Sequence, residues 1–533
     1  MSSVPKPVLR ETFTDPGSAI TFGDARAAGQ HRAHAGRTWL LTAMLLLTPL
    51  VTYWPATFHD YGLRDDYSNL REAHEEPAMV LNFCASHARP IYGWLLRSTY
   101  GETASVRDLQ WMRFFAALLL GAIALVMFRG LRSLQWSHSA SLCFATLLTL
   151  VPSAQVIAGW AVGWPYAATV LLAIAAFFTV DAALTVGVNA GRARLVGQWT
   201  LGFSLMVVSA LIYQPSALFY VVPLAAALIA KNHRAPAASV RWLGIHLGFV
   251  VASLALAYAA MSGLYAGGVF VKSGRIAFEH HWGDKLVWYF QENLPNALSL
   301  FVLNDNNHRD HAWYVACALV VAALLTAGAF LEWRRHGRAR GLLWAGGLLG
   351  LPFVALSVSF VASEHYATYR TILAMTAVLL CFLVASVRAL TERWGIPSRR
   401  AMVTATLAVA LFTAQHHVYA LIAVPQGNEW QLILQGARHV RLDGATRPRV
   451  FAIASSPADI STDTIYHDEF GSLSSNSEWV PKEMFKRAMH DLHPELRNVD
   501  SRYDFSEGYK LPPGEHYDVI IDMHQLRRFH TDN

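Results

Sequence analysis

The feature that most constrains this chain is a recurrence of apolar runs about twenty residues long, the length a helix needs to cross the hydrocarbon core of a bilayer. Eleven can be read, at 38–56, 111–130, 139–157, 163–185, 197–212, 214–230, 241–264, 312–331, 341–361, 371–390 and 401–421. Lipid offers a backbone no hydrogen bonds, so such runs must satisfy their own N–H and C=O groups by forming helices. Composition agrees: 54% of the 533 residues are hydrophobic and 15% are charged, against about 25% charged in soluble domains. The fold expected is an all-α polytopic membrane protein with about eleven transmembrane helices. The fifth and sixth runs meet at Tyr213-Gln214-Pro215 almost without a loop, and fusing them would give ten.

Short-loop charge orients the runs, because Lys and Arg accumulate on the cytoplasmic side. Arg129 and Arg132, Arg192 and Arg194, Lys231, Arg234 and Arg241 fall in one set of loops, with Arg334, Arg335, Arg338 and Arg340, then Arg388, Arg393, Arg399 and Arg400. The intervening short loops at 158–162 and 213–215 carry neither residue. The first set and the N-terminal tail, 1–37, are therefore expected in the cytoplasm. Loops 57–110, 265–311 and 362–370, and everything after about 422, are expected to face outward. The net charge of +6 resides in these loops, which argues against nucleic acid. Polar sequence precedes the first run, so that run is expected to be an uncleaved anchor. Four cysteines, three of them inside apolar runs, make no disulfide framework.

The tail, 422–533, reads differently. Arg449–Ala454 and Tyr517–Asp522 have the short β-branched pattern of strands, and Lys482–Leu492 has helical spacing after Pro481. A small extracytoplasmic α/β domain follows. Its Tyr466-His467-Asp468-Glu469-Phe470 stretch is polar enough for binding and equally readable as a loop.

Chemistry concentrates in the outer loops. Arg64-Asp65-Asp66-Tyr67 lies just past the first run, and charge held beside a bilayer tends to mark a substrate or ion site. One aspartate can serve as a general base and the other can orient it, or either can cap a helix beginning at Tyr67. An interfacial helix around Ile91–Leu96, and another carrying Leu286, Val287, Tyr289, Phe290, Leu294 and Leu298 on one face, would frame a groove open to lipid and water. Arg64, Arg89, Lys272, Arg275 and Arg370 are candidate phosphate ligands, Arg370 foremost because it stands at the end of a run; the competing role is an interfacial anchor. Glu279-His280-His281 and Glu364-His365 could join the Asp pair around a divalent metal, although the spacing favours polar groups of a substrate site or solvated loops. Gln214 suits a substrate contact or a helix–helix hydrogen bond.

A long first outer loop with an acidic pair just beyond the first span resembles the GT-C superfamily of membrane glycosyltransferases. Tyr213-Gln214 at the outer end of a mid-chain span, and Arg370 entering a late one, are similar to the bacterial GtrII-like glucosyltransferase group. Gln214 is followed by Pro215, a departure that should kink the helix. The resemblance covers 38–421. It implies transfer of a sugar from a polyprenyl-phosphate donor to a glycan, lipid or protein acceptor at the outer face, with Asp65 and Asp66 catalytic and no obligatory cofactor. Arg64, Tyr67, Arg89, Tyr213, Gln214, His280, His281, Glu364, His365 and Arg370 would line the substrate site. The rival readings are a lipid-linked sugar flippase, a polysaccharide polymerase or ligase, and a non-enzymatic assembly protein. Charges clustered in loops rather than at mid-span favour an enzyme over a transporter.

Overall fold

A computed structural model describes residues 22–186, 191–230, 235–305, 311–444, 446–454, 468–477, 479–496 and 499–527. The chain divides into two compact units, 1–44 and 45–533. Of the first, residues 22–44 are helical, the start of α1 (Phe22–Thr57). The description below concerns the second. Lys231 and Arg234 of the charge pattern, and Tyr466 and His467 of the tail, lie outside the described residues.

Three short helices follow α1: α2 (Asp65–Glu75), α3 (Pro77–Ser86) and α4 (Pro90–Gly101). Pro77 and Pro90 each occupy the first turn of their helix, where a missing N–H costs nothing. The bundle continues through α5 (Leu109–Ser133), α6 (His138–Leu148), α7 (Pro152–Gly159), α8 (Trp164–Val186), α9 (Arg192–Ala217), α10 (Val221–Ala230) and α11 (Pro236–Ala266). A loop carrying α12 (Trp282–Trp288) and α13 (Leu294–Leu298) leads to α14 (Ala312–His336), α15 (Arg338–Ala355), α16 (Ser357–Val361), α17 (Leu373–Leu390), α18 (Ile396–Val418) and α19 (Val424–Arg438).

Among the described residues, eight helical stretches are long and apolar enough to cross a membrane, or nine if the bent α6–α7 pair is one span. The mostly helical, multi-pass class is therefore as expected, but the count of eleven is not reproduced. Residues 192–230 form one helical stretch broken at Tyr213, and α15, with Arg338 and Arg340 in its first turn, is not among the eight. At the break Tyr213 has φ −156° and ψ 106°, where Pro215 withholds an N–H from the ladder. Phe249 of α11 packs against Phe203, ten residues before the break, and against Tyr220, seven after it, with ring centroids 5.8 and 5.4 Å away. The chain thus turns back at the break, with Phe249 touching both arms.

Helix contacts in the bundle depend on small residues, as expected where lipid supplies no hydrophobic drive between helices. A Cβ on Gly121 of α5 would come within 2.6 Å of the Leu46 carbonyl of α1. Near the same end, the fully buried Arg113 donates to the carbonyls of Thr57, Tyr61 and His59 at 3.2, 2.9 and 2.7 Å, and its guanidinium lies 4.1 Å over the Tyr61 ring. That clamp fixes the segment joining α1 to α2, and so the position of the aspartates.

The tail forms a parallel three-stranded sheet, β1 (Arg449–Ile453), β2 (Asp504–Gly508) and β3 (Val519–Asp522), in the order β2-β1-β3. Central β1 buries Val450, Phe451 and Ala452 consecutively, as a strand covered on both faces does. β2, which is largely solvent-facing and polar, has no such signature in sequence. Helix α20 (Val480–Leu492) presents Val480, Met484, Phe485, Ala488 and Met489 on one face and packs against α19, α2 and β2. Arg71 of α2 donates to Glu483 of α20 at 2.6 Å. The tail is thus part of the same compact unit as the bundle rather than a detached appendage.

Candidate active site

The two aspartates do different work. Asp66 is fully buried at the N-terminus of α2, where its carboxylate accepts from the Leu63 N–H at 2.8 Å and from the Tyr100 hydroxyl of α4 at 2.5 Å. Burial pushes its carboxyl up to about 7, against the pull of those two bonds. It ties the first turn of α2 back to the Leu63 backbone and across to α4. Tyr67 is likewise interior: its hydroxyl both accepts from and donates to Gly62, and its ring packs on Trp430. Asp66, expected to be catalytic, and Tyr67, expected to bind substrate, are thus both placed in the interior.

Asp65 keeps partial exposure and looks into a ring of charge. Burial raises its carboxyl above the usual range, and Arg370 and then Arg64 oppose that rise, with Glu469 adding to it. Arg64 adopts a left-handed φ of 44°, unusual for a residue with a side chain. Its N–H donates to Ser474 Oγ at 2.9 Å and its guanidinium to Ser472 Oγ at 3.1 Å. The tail segment 468–477 therefore holds the corner from which Asp65 projects.

Arg370 sits just before α17 with its side chain 12% exposed. Its Nη1 is 3.9 Å from Glu469 Oε1, another group on it donates to the Tyr366 hydroxyl, and its Cζ lies 4.5 Å over the Trp160 ring. Stacked on an aromatic plane and only loosely paired, the guanidinium retains donors for an anion. Tyr166 continues the wall. It packs against Tyr213 at 4.2 Å between centroids and shares a 2.9 Å hydroxyl contact with Tyr92. Arg89 lies 4.6 Å over Tyr213, and Gln214 donates to the Ala88 carbonyl at 2.6 Å while accepting from Arg89 at 3.4 Å. Gln214 thus orients the α3–α4 turn as well as facing the cluster. The break at Tyr213 is what lets Tyr213 and Gln214 leave the helix and reach Arg89.

Asp65, Arg64, Arg370, Arg89, Tyr213 and Gln214 are thereby brought to one end of the bundle. The remaining nominations are not. His280 and His281 are exposed, with their backbone N–H groups bound to Glu279 Oε1 at 2.7 and 2.6 Å. Glu364 is exposed and meets Arg275 at 4.0 Å, while His365 packs edge-on to Trp288 beside a cavity of about 270 Å³. That cavity, lined by Asp284, Trp288 and Gln291, does not include Asp65. These residues form a loop lattice around Lys285, whose ammonium donates to the carbonyls of Ser359 and Glu364. They do not gather round a metal with the Asp pair. Among the described residues, the His and carboxylate group with metal-like spacing is Glu75–His490–Asp500, between α2 and the tail.

Three contributors were not nominated from sequence. Trp160 sits in the short loop 158–162 and Tyr166 in the apolar run after it, where an aromatic residue signals nothing by itself. Glu469 sits in a stretch equally readable as a loop, 404 residues from Asp65 along the chain. Its carboxyl is 1% exposed, and burial, then the adjoining Asp468, pushes it well above the ordinary range against Arg370 and Arg64. No protein-family model matches this chain and no curated protein matches it either, so the geometry just described is what bears on its chemistry.

Proposed function

We propose that the protein is a membrane glycosyltransferase of the GT-C kind. It moves a sugar from a polyprenyl-phosphate donor to a cell-envelope glycan, lipid or protein acceptor at the outer face of the bacterial cytoplasmic membrane. The observation that carries the reading is that Asp65, a partly exposed residue, feels the charge of Arg370, a guanidinium stacked on Trp160 and held loosely by Glu469. A lipid-phosphate sugar brings its own leaving group, so the reaction needs a base for the acceptor hydroxyl and a cation for the phosphate. Asp65 and Arg370 fit those needs. Tyr166 and Tyr213, buried against each other, against Tyr92 and beneath Arg89, brace the site from behind, while Arg89 and Gln214 offer polar edges. One displacement by a base-activated hydroxyl inverts the anomeric centre. No step calls for a cofactor.

The topology proposed is eleven spans with a cytoplasmic N-terminus. Parity supports an odd total: Arg64, after the first span, bonds Ser474 of the tail, so an even number of crossings lies between them. Nine and eleven satisfy that; eight and ten do not. The reversal at Tyr213 and the α14–α15 hairpin around Gly337 supply the two crossings beyond nine.

The test is transfer from a radiolabelled polyprenyl-phosphate sugar to cell-envelope extract by purified protein, with Asp65→Asn alongside. Wild-type transfer that Asp65→Asn abolishes at unchanged folding supports the reading. Transfer undiminished in Asp65→Asn overturns it.

A further inference from the structure

Base and phosphate clamp leave Glu469 without a part, yet it is an expensive residue. It is buried, and apart from a carboxyl–carboxyl hydrogen bond with Asp468 neither oxygen accepts from a donor among the described residues. The carboxyl lies against that of Asp468 and meets Arg370 only at 3.9 Å. Its backbone is also constrained. Asp468 has a left-handed φ of 68°, pinned by the Tyr369 N–H to its Oδ2 at 2.9 Å, and Gly471 follows at φ 82° with its N–H on the Leu421 carbonyl. Left-handed backbone outside glycine costs about 1–2 kcal/mol, and a buried carboxyl without donors costs more. Two such costs on neighbouring residues that aim one carboxyl at Arg370 call for a reason in the chemistry.

We propose that Glu469 is the proton donor of the site, hydrogen-bonding the phosphate that Arg370 grips and protonating it as the sugar departs. This rests on the glycosyl-transfer reading above. The acceptor oxygen bonds to the anomeric carbon while the bond from that carbon to the phosphate oxygen breaks, its electron pair going to the phosphate. The hydroxyl proton passes to Asp65 and the Glu469 proton to the departing phosphate. The lipid phosphate then leaves as a monoanion, Asp65 is protonated and Glu469 ionised. Proton exchange with water restores both, and no oxidant or metal is consumed. The groups facing Glu469 are Arg64, just before α2, and Asp65 at its start, Tyr366 and Arg370 from the segment before α17, and Asp468 on its own segment. Burial, and then Asp468, raise the carboxyl well above the ordinary range against the pull of Arg370 and Arg64.

The experiment is kcat against pH for wild type, Glu469→Gln and Glu469→Asp with a polyprenyl-phosphate sugar, beside equilibrium binding of sugar-free polyprenyl phosphate. In Glu469→Gln, kcat should fall by about 10²-fold or more and the loss of rate on the alkaline side should vanish. Binding should change little, because the amide still donates. Glu469→Asp should keep an alkaline limb at reduced rate, a result a merely structural carboxyl would not give. A Glu469→Gln enzyme with wild-type kcat and an intact alkaline limb overturns this assignment alone. A wild-type protein that transfers nothing from any polyprenyl-phosphate sugar overturns the glycosyltransferase reading and this one with it.

Discussion

Two adjacent aspartates that look equivalent in sequence should fail in opposite ways. Asp66→Ala strips the acceptors from the Leu63 N–H and the Tyr100 hydroxyl, both buried. At about 1–3 kcal/mol for each orphaned group, the loss is about 2–6 kcal/mol, a large part of an ordinary folding free energy of about 5–15 kcal/mol. Asp66→Asn keeps one acceptor and should cost roughly half as much. The pH dependence has a definite sign. In the unfolded chain this carboxyl titrates near ~4, and in the fold burial raises it to about 7. Between those values the folded protein holds a proton that unfolding releases, so stability is full at acidic pH and falls as pH rises through the window. Asp66→Asn should flatten that slope. The assay is the apparent Tm in detergent, followed by tryptophan fluorescence at several pH values, with Asp65→Asn as the control that keeps wild-type Tm and loses transfer. An Asp66→Ala protein with wild-type Tm, or an Asp65→Asn protein destabilised as much as Asp66→Ala, would refute the division of labour.

Arg370→Ala should raise the KM for the polyprenyl-phosphate donor about 10- to 100-fold, the worth of a charged hydrogen bond of about 1.5–3 kcal/mol, and leave the acceptor KM nearly alone; equal losses for both would mark Arg370 as structural. Arg370→Lys should not rescue, because an ammonium cannot stack flat on Trp160 or bind bidentately. Gly163→Ala places a methyl 2.3 Å from the Ile157 carbonyl, a backbone atom that cannot step aside cheaply. Overpacking of about 1–3 kcal/mol should lower Tm and disturb the Trp160 side of the site, and an unchanged Tm would show that the 157–163 turn is looser than drawn. A reporter fused after Asn533 should be active only on the outer side; cytoplasmic activity would invert the whole arrangement.

The apolar runs determined the class of this protein unaided, because a backbone in lipid has no choice but to satisfy itself as helix. Strand β1 and helix α20 were legible for the same kind of reason: their apolar residues recur at the period of the element. β2 was not, since its solvent-facing residues carry no period, and neither was the span count. Whether 192–230 crosses once or turns back depends on what Tyr213 and Phe249 pack against, which is not written at those positions. The site was half legible. Asp65, Arg64 and Arg370 announced themselves because a charge at a membrane edge is costly wherever it occurs. The roles of Asp65 and Asp66 were not separable, because neighbouring side chains on one turn can face a cleft or a core, and only Tyr100 on α4 decides which. Glu469 was least legible of all. Its importance comes from a fold that returns the tail across α2 and sets a distant carboxyl against Arg370, and proximity created by tertiary packing leaves no trace in the spacing of residues along the chain.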